Sequence, residues 1–267
     1  MMGSGQSSVD YVLYQLDQMF KVLSLAKPLV TATTVEQAQA KHTQYGYDRI
    51  PIEGADGVNT YYDAINGSIQ RIEPREILSS SAGILRTLAC LDINDFYFVL
   101  EERRITHFIH YSDLNNPLLL IAIYSQIAYF ETVVRNFLRY RVSQRTSPAQ
   151  PTESDNESFL AGLVQNLSLG TIDIPSAKGR YEQKKRDNFQ TDIFDELRFV
   201  DELSICNCLN LTSVINSETR LNEFVRMRNS IMHGRSEIIR QKADIDKWLK
   251  FLTEFQWIIG RIKREHR

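Results

Sequence analysis

The chain has 267 residues, of which 43% are hydrophobic and 24% charged. These proportions are typical of one large or two ordinary soluble domains, and a net charge of −2 excludes a protein that binds polyanions through its overall field. The charge is uneven, because residues 1–116 hold 9 basic and 14 acidic side chains and residues 117–267 hold 22 and 19. Two modules are therefore expected. The basic residues of the second module indicate either that it binds an anionic partner or that they form a solvated helix face.

The three cysteines, Cys90, Cys206 and Cys208, indicate reduced thiols in a cytoplasmic protein. Cys206 and Cys208 form a C-x-C pair without a second pair, so no metal site is expected. Residues 1–19 are expected to be a leader or an N-terminal helix. The continuous apolar run at residues 117–124 is too short to span a bilayer, so no membrane is expected as a partner.

The next segments predict an α/β module made of two similar units. "VEQAQAKHTQYG" predicts a helix that ends near Gly46, and "YDRIPIEG" and "VNTYYDAI" predict strands around the turn "GADG". The order then recurs, with a helix in "PREILSSSAGILRTLACLD", an apolar strand "DFYFVLEE" and the alternating segment "RITHFIHYSDL". A helix–strand–strand order repeated after about 55 residues indicates two related units packed together.

Residues 95–114, "DFYFVLEERRITHFIHYSDL", resemble the second half of a CBS motif, and "YDRIPIEGADGVNTYYDAI" resembles a weaker first copy. Residues 20–116 are therefore similar to a paired CBS (Bateman) module. The resemblance implies that this module senses an adenine nucleotide. It also implies a nucleotide cleft that contains Asp113, His110 and Ser112.

In that family the aspartate bonds the ribose, and a carboxylate such as Asp113 can accept two hydrogen bonds from a diol. This sequence has His110 where the family has threonine at the phosphate, and a charged or tautomeric His110 can serve there. It has His107 where the family has glycine, and the bulk of this side chain can close the cleft. Alternatively, Asp113 only caps the turn into the following helix.

From Asn116 onward the pattern predicts an all-helical bundle, residues 117–267. "NNPLLLIAIYSQIAYFETVVRNFLRYRVSQR" predicts one long helix, capped by Asn116, with Pro117 in its first turn and apolar residues at steps of three and four. "GTIDIPSAKGRYEQKKRDNFQTD" reads as a charged loop. Further helices are expected at residues 157–167, 194–209, 217–232 and 244–263.

The segment "RMRNSIMHGR" places Arg228, Asn229 and His233 in an R-N-x-x-x-H pattern. The helix is expected to end or bend at residues 232–234, with Gly234 as its left-handed terminator. In an all-helical domain this pattern resembles the R-x4-6-H signature of HEPN domains. The resemblance implies a metal-independent endoribonuclease without a catalytic cofactor, acting as a homodimer, in a defence or toxin-like setting. Histidine can give or take a proton near neutral pH, and arginine binds phosphate oxygens.

The same residues also fit a structural role. His233 in a last helical turn is stabilised by the helix dipole, and Arg228 can pair with Glu131 of the long helix. The basic stretch "RNFLRYRVSQR" has interleaved aromatic residues, which predicts either an RNA groove or a solvated helix end. The RNA-binding prediction covers Arg135, Arg139, Arg141 and Arg235.

The sequence thus predicts an α+β protein with a CBS-like pair followed by a HEPN-like helical bundle. Its predicted function is that of a nucleotide-regulated, metal-independent endoribonuclease with a dimeric R-x4-H site. A non-catalytic nucleotide-binding dimerisation or adaptor protein is the alternative, and a purely structural module is a third.

Overall fold

The computed structural model describes residues 21–146, 151–233 and 237–265, which form two compact units. The first unit contains the described residues 21–122 and 237–249, and the second contains 123–233 and 250–265. The long helices Pro117–Ser143 and Ala243–Glu265 each contribute residues to both units. The predicted α+β class is confirmed, because the described strands all precede Pro117 and only helices follow it.

The first unit contains two β-sheets. Its strands are β1 (Lys27–Pro28), β2 (Arg49–Gly54), β3 (Gly57–Asp63), β4 (Ser68–Arg71), β5 (Ile77–Ser79), β6 (Phe96–Glu101) and β7 (Arg104–His110). One sheet has the order β1-β7-β6-β5 and the other β2-β3-β4. The β5–β6 pair is parallel, and the other pairs are antiparallel.

Helices α1 (Val35–Tyr45) and α2 (Ile84–Ile93) complete the repeated order, as α1-β2-β3 and α2-β6-β7. Helix α1 begins where the Thr34 hydroxyl accepts a bond from the Gln37 amide, and it ends at Gly46 with φ of 71°. These elements confirm the predicted helix–strand–strand repeat. Strands β1, β4 and β5 were not expected, because runs of two to four residues carry too little periodicity to be recognised.

Asn115 ties residues 237–249 to the first unit. Its side-chain amide donates to the Ile239 carbonyl at 2.6 Å, and its oxygen accepts from the Ile238 and Ile239 amides at 3.0 Å. The Trp248 indole N–H donates to the Ile238 carbonyl at 3.1 Å. The Asn115 bonds therefore attach this distant segment to the end of the α/β elements, and the Trp248 bond holds the segment together internally.

The second unit is helical around a cluster of aromatic rings. Its helices are α3 (Pro117–Ser143), α4 (Glu153–Val164), α5 (Ile174–Arg186), α6 (Phe199–Cys208), α7 (Glu218–Met232) and α8 (Ala243–Glu265). Phe130 stacks on Phe255 at 4.4 Å between ring centroids, and Phe251 meets Phe255 at the same distance. Phe224 lies 5.0 Å from Phe251. All four rings are at most 1% exposed, so they form the core of the unit.

The prediction of a loop at residues 170–192 is wrong, because α5 lies within it. Asp173 accepts a bond from the Ser176 amide at 3.1 Å and so caps the helix. Only Ala177 and Tyr181 are buried on this helix. An apolar stripe of two residues in a lysine-rich segment gives almost no sequence signal.

Helix α3 is long and apolar enough, by length and composition, to cross a membrane, with a mean hydropathy of 1.5 over 18 residues. The unbroken apolar run at residues 117–124 is shorter than this helix, because single polar and charged residues interrupt the apolar positions that follow it. However, 39% of that stretch is buried within the protein, and Ile127, Phe130 and Val134 are each about 1% exposed or less. The core helix of a soluble protein has the same composition, so α3 by itself is weak support for a membrane span.

Candidate functional sites

A cavity of about 400 Å³ lies in the first unit, between the two sheets and the turn after β7. Aromatic residues Tyr47, Phe96, Phe98 and Phe108 contribute to its wall. Its charged and polar lining residues are Lys27, Arg49, Asp48, Asp95, Asp113, His110 and Ser112. The three residues expected in a nucleotide cleft, His110, Ser112 and Asp113, therefore line one cavity.

The Asp113 carboxylate is held by two donors. The turn Tyr111–Leu114 is a 3₁₀ helix in which Asp113 Oδ2 accepts from the His110 amide at 2.9 Å. Lys27 Nζ lies 2.5 Å from Oδ1, and the Asp113 side chain is only 3% exposed. The capping role that the sequence offered as an alternative is thus observed, in a residue that also lines the cavity.

His110 contributes a neutral ring to this cavity. The Ser112 amide donates to its Nδ1 at 3.3 Å, which places the ring proton on Nε2, and the Ser112 hydroxyl lies 2.8 Å from the same nitrogen. Burial lowers the pKa of His110, and the nearby Asp113 carboxylate opposes this change. At neutral pH the imidazole therefore offers a hydrogen-bond donor to a ligand, and the positive charge must come from other residues.

Lys27 and Arg49 supply that positive charge, and no sequence motif pointed to them. The hydrogen bond to Asp113 raises the pKa of Lys27, and its side chain is 62% exposed. The Arg49 guanidinium carbon lies 4.2 Å from the Phe96 ring centroid, and Arg49 Nη1 lies 3.7 Å from Glu76 Oε1. Both are single basic residues at strands, and only the fold brings them to one cavity.

Arg228 and His233 lie at the end of α7 in the second unit. Arg228 Nη2 and Nε donate to Glu131 Oε1 at 3.1 and 3.3 Å, and the Arg228 side chain is 23% exposed. The predicted alternative, in which Arg228 pairs with Glu131, is confirmed. Asn229 Oδ1 accepts from Arg228 Nη1 at 3.5 Å.

His233 caps the end of α7, where its amide donates to the Asn229 carbonyl at 3.0 Å. His233 is exposed to solvent. The helix end expected near residue 233 is confirmed by this cap. Gly234, the expected terminator, and Arg235, an expected RNA-binding residue, lie outside the described residues.

A partly buried charge network connects the Arg228–Glu131 pair to α6. Arg135 Nη2 lies 3.4 Å from Glu131 Oε2, and Arg135 Nε donates to Glu202 Oε1 at 2.6 Å. Burial raises the pKa of Glu202, whereas Arg135 and Arg228 act to lower it. Arg135 thus links the Arg228–Glu131 pair to a fully buried carboxyl group whose neutral form is favoured by burial.

The other two described arginines of the predicted RNA groove also contact carboxylates. Arg139 donates to Asp192 at 2.6 Å and to Asp195 at 2.5 Å. Arg141 lies 3.0 Å from Glu265, with both side chains more than one-third exposed. These pairs reduce the charge available to a phosphate backbone, so RNA binding by these residues stays a prediction.

Within the described residues, no group of three or more histidine, cysteine, aspartate or glutamate side chains is arranged to hold a metal ion. Cys206 is buried, and burial raises the pKa of its thiol well above the ordinary value. Cys208 Sγ contacts the carbonyls of Leu163 and Asn166 at 3.7 and 3.5 Å. Both thiols are thus engaged in packing.

No protein-family model and no curated protein matches the sequence. Among solved structures, the chain is similar to the CBS domain of the bacterial CNNM/CorC family Mg²⁺ transporter, with 14% identity, 41% of this chain and 81% of that chain covered, and a TM-score of 0.31. The CBS domain of that transporter family in complex with ATP gives 15% identity, coverages of 40% and 91%, and a TM-score of 0.30. Scores of 0.31 and 0.30 do not establish a shared fold, so a function must be argued from the residues of this chain.

Proposed function

We propose that the first unit binds an adenine nucleotide in its cavity and that the chain is a nucleotide-regulated protein. The observation that carries this proposal is one cavity of about 400 Å³ that combines aromatic walls, cations and carboxylates. Its volume lies within the range of small-molecule sites, about 300–1,000 Å³. A nucleotide needs all three chemistries, because its base is planar and apolar, its sugar donates hydrogen bonds and its phosphate is anionic.

Each part of a nucleotide has a matching group in the cavity. Tyr47 and Phe108, whose ring centroids are 6.0 Å apart, offer faces on which a base can stack. Asp113 offers carboxylate oxygens to the ribose hydroxyls. Lys27 and Arg49 offer donors to phosphate oxygens. The preference for adenine comes from the CBS resemblance of residues 95–114.

Calorimetric titration of the full chain with AMP, ADP, ATP and cyclic AMP, with GMP as the comparison, tests this proposal. Tyr47→Ala should weaken binding about 5- to 150-fold, because stacking contributes about 1–3 kcal/mol per base. Tyr124→Ala is the matched control, since Tyr124 is 46% exposed and Tyr47 37% exposed, and Tyr124 belongs to the other unit. Absence of binding by every adenine nucleotide would overturn the proposal.

For the second unit we propose metal-independent RNA cleavage by Arg228, Asn229 and His233, in a HEPN-like homodimer that shares one site. The exposed position of His233 at the end of α7 favours this activity, because a general acid or base must reach its substrate. Arginine has five N–H donors, so Arg228 can bond Glu131 and still present donors to a phosphate.

Labelled single-stranded RNA incubated with excess EDTA, with and without adenine nucleotides, tests the activity. His233→Ala should lower cleavage about 10²–10⁴-fold, the usual contribution of proton transfer by a side chain. In the cleavage assay of Arg228→Ala, Arg226→Ala is the control, because Arg226 is an exposed arginine on the same helix. The proposal of a metal-independent nuclease is contradicted if cleavage requires magnesium or if the wild-type protein does not cleave RNA.

The alternative is a non-catalytic nucleotide-binding adaptor, and the Arg228–Glu131 ion pair favours it. In that case Arg228 stabilises the bundle and has no substrate. An adaptor binds the nucleotide, and Tyr47→Ala weakens that binding as described above. It leaves RNA intact under all conditions. The two assays together therefore separate the adaptor from the nuclease.

A further inference from the structure

The cavity of the first unit contains an ion pair that a ligand must meet. Lys27 Nζ and Asp113 Oδ1 are 2.5 Å apart. We infer that Lys27 binds the phosphate of the ligand and that this binding frees Asp113 Oδ1 for a ribose hydroxyl. The inference rests on the proposed function, because it assigns roles within the same nucleotide site.

Lys27 is the cation of the cavity that can change partner. It lies on β1, a two-residue strand at the edge of its sheet, and its side chain is 62% exposed. Its ammonium group sits on a flexible four-carbon stem, so it can turn toward a phosphate without backbone movement. Arg49 is more restricted, because its guanidinium packs at 4.2 Å from the Phe96 ring centroid and lies 3.7 Å from Glu76.

Asp113 stays in position when Lys27 turns away. Its Oδ2 accepts from the His110 amide at 2.9 Å within the 3₁₀ turn, and its side chain is 3% exposed. Oδ1 then loses the lysine, and a buried carboxylate oxygen without a donor is unfavourable. A ribose hydroxyl can supply that donor, which couples recognition of the phosphate to recognition of the sugar.

The charges of the cavity disfavour a ligand with several phosphates. Asp48, Asp95 and Asp113 line it together with the cations Lys27 and Arg49, and His110 is neutral. Asp95 is paired with Lys242 at 2.9 Å, which leaves the cavity without excess positive charge. A triphosphate would bring several negative charges against these carboxylates, so the ligand class is a nucleoside monophosphate.

The experiment compares AMP, adenosine, ribose 5-phosphate and ATP by calorimetry on the full chain. Wild-type protein should bind AMP about 10- to 100-fold more tightly than adenosine, the range that hydrogen bonds to charged groups give. Lys27→Met should remove that difference by weakening AMP, while adenosine binds no more weakly than before. Lys27→Arg should restore the preference for AMP. Arg86→Met, on the exposed surface of α2, should leave all affinities unchanged.

Two outcomes overturn the inference while the proposed function stands: Lys27→Met weakens adenosine as much as AMP, or ATP binds more tightly than AMP. If ribose 5-phosphate binds in a Lys27-dependent manner and no adenine ligand does, the adenine assignment fails and the role of Lys27 stands. If none of the four compounds binds, both fail.

Discussion

Arg228→Ala should destabilise the second unit, because the guanidinium is part of a mostly buried ion pair. The Arg228 side chain is 23% exposed and that of Glu131 is 14% exposed, with 3.1 Å between Nη2 and Oε1. Exposed pairs contribute about 0–1 kcal/mol, and breaking a fully buried pair costs about 3–5 kcal/mol. Since Arg135 lies 3.4 Å from Glu131 and partly replaces the lost partner, we expect a decrease of about 2 kcal/mol in the free energy of unfolding.

Urea unfolding followed by circular dichroism measures this decrease, with Arg226→Ala as the control. Arg226 is an exposed arginine on the same helix, and its loss should change the free energy of unfolding by less than about 0.5 kcal/mol. A double-mutant cycle with Glu131→Ala isolates the pair, and a coupling of about 1 kcal/mol or more is expected for residues in contact.

Equal unfolding midpoints for Arg228→Ala and Arg226→Ala would refute the reasoning. A coupling energy below about 0.5 kcal/mol would do the same, because the two side chains would then act independently. Such a result would mean that Arg228 is not needed for stability, and it would strengthen the case for a role of Arg228 in RNA cleavage.

Gly170→Ala should destabilise the protein by more than about 1 kcal/mol, since Gly170 has φ of 74° and an added Cβ would collide with Ser204 Oγ and lie 2.8 Å from Leu221. Gly162→Ala, with open space around it, is the control, and similar melting temperatures for the two variants would contradict this reasoning. Burial lowers the pKa of His110 below its ordinary value of 6.5, so as the pH falls the unfolded chain binds a proton before the folded protein does. The free energy of unfolding should therefore decrease as the pH drops from 6.5 through the pKa of His110 in the folded protein. Thermal unfolding between pH 7.5 and 5.5 should show a smaller loss for His110→Gln than for wild type, and equal losses would exclude this contribution. Light scattering should give about twice the chain mass of 30.9 kDa if the second unit shares a dimeric site, and a monomer at micromolar concentration would exclude the shared site.

The sequence by itself determined the elements whose signals are local. Gly46 marks the end of α1, and the alternation in residues 104–110 identifies β7. His110, Ser112 and Asp113 are neighbours in sequence, so a single turn brings them to one cavity. In each case the interacting groups are separated by a few residues.

Only the tertiary structure decided which distant residues line the cavity and pair with the predicted residues. Lys27 and Arg49 have no motif, and Lys27 reaches Asp113 because β1 pairs with β7 at the sheet edge. The sequence offered the Arg228–Glu131 pair only as an alternative, and the contact joins residues 97 positions apart. Such contacts depend on how sheets and helices pack, and local propensity carries no information about that packing.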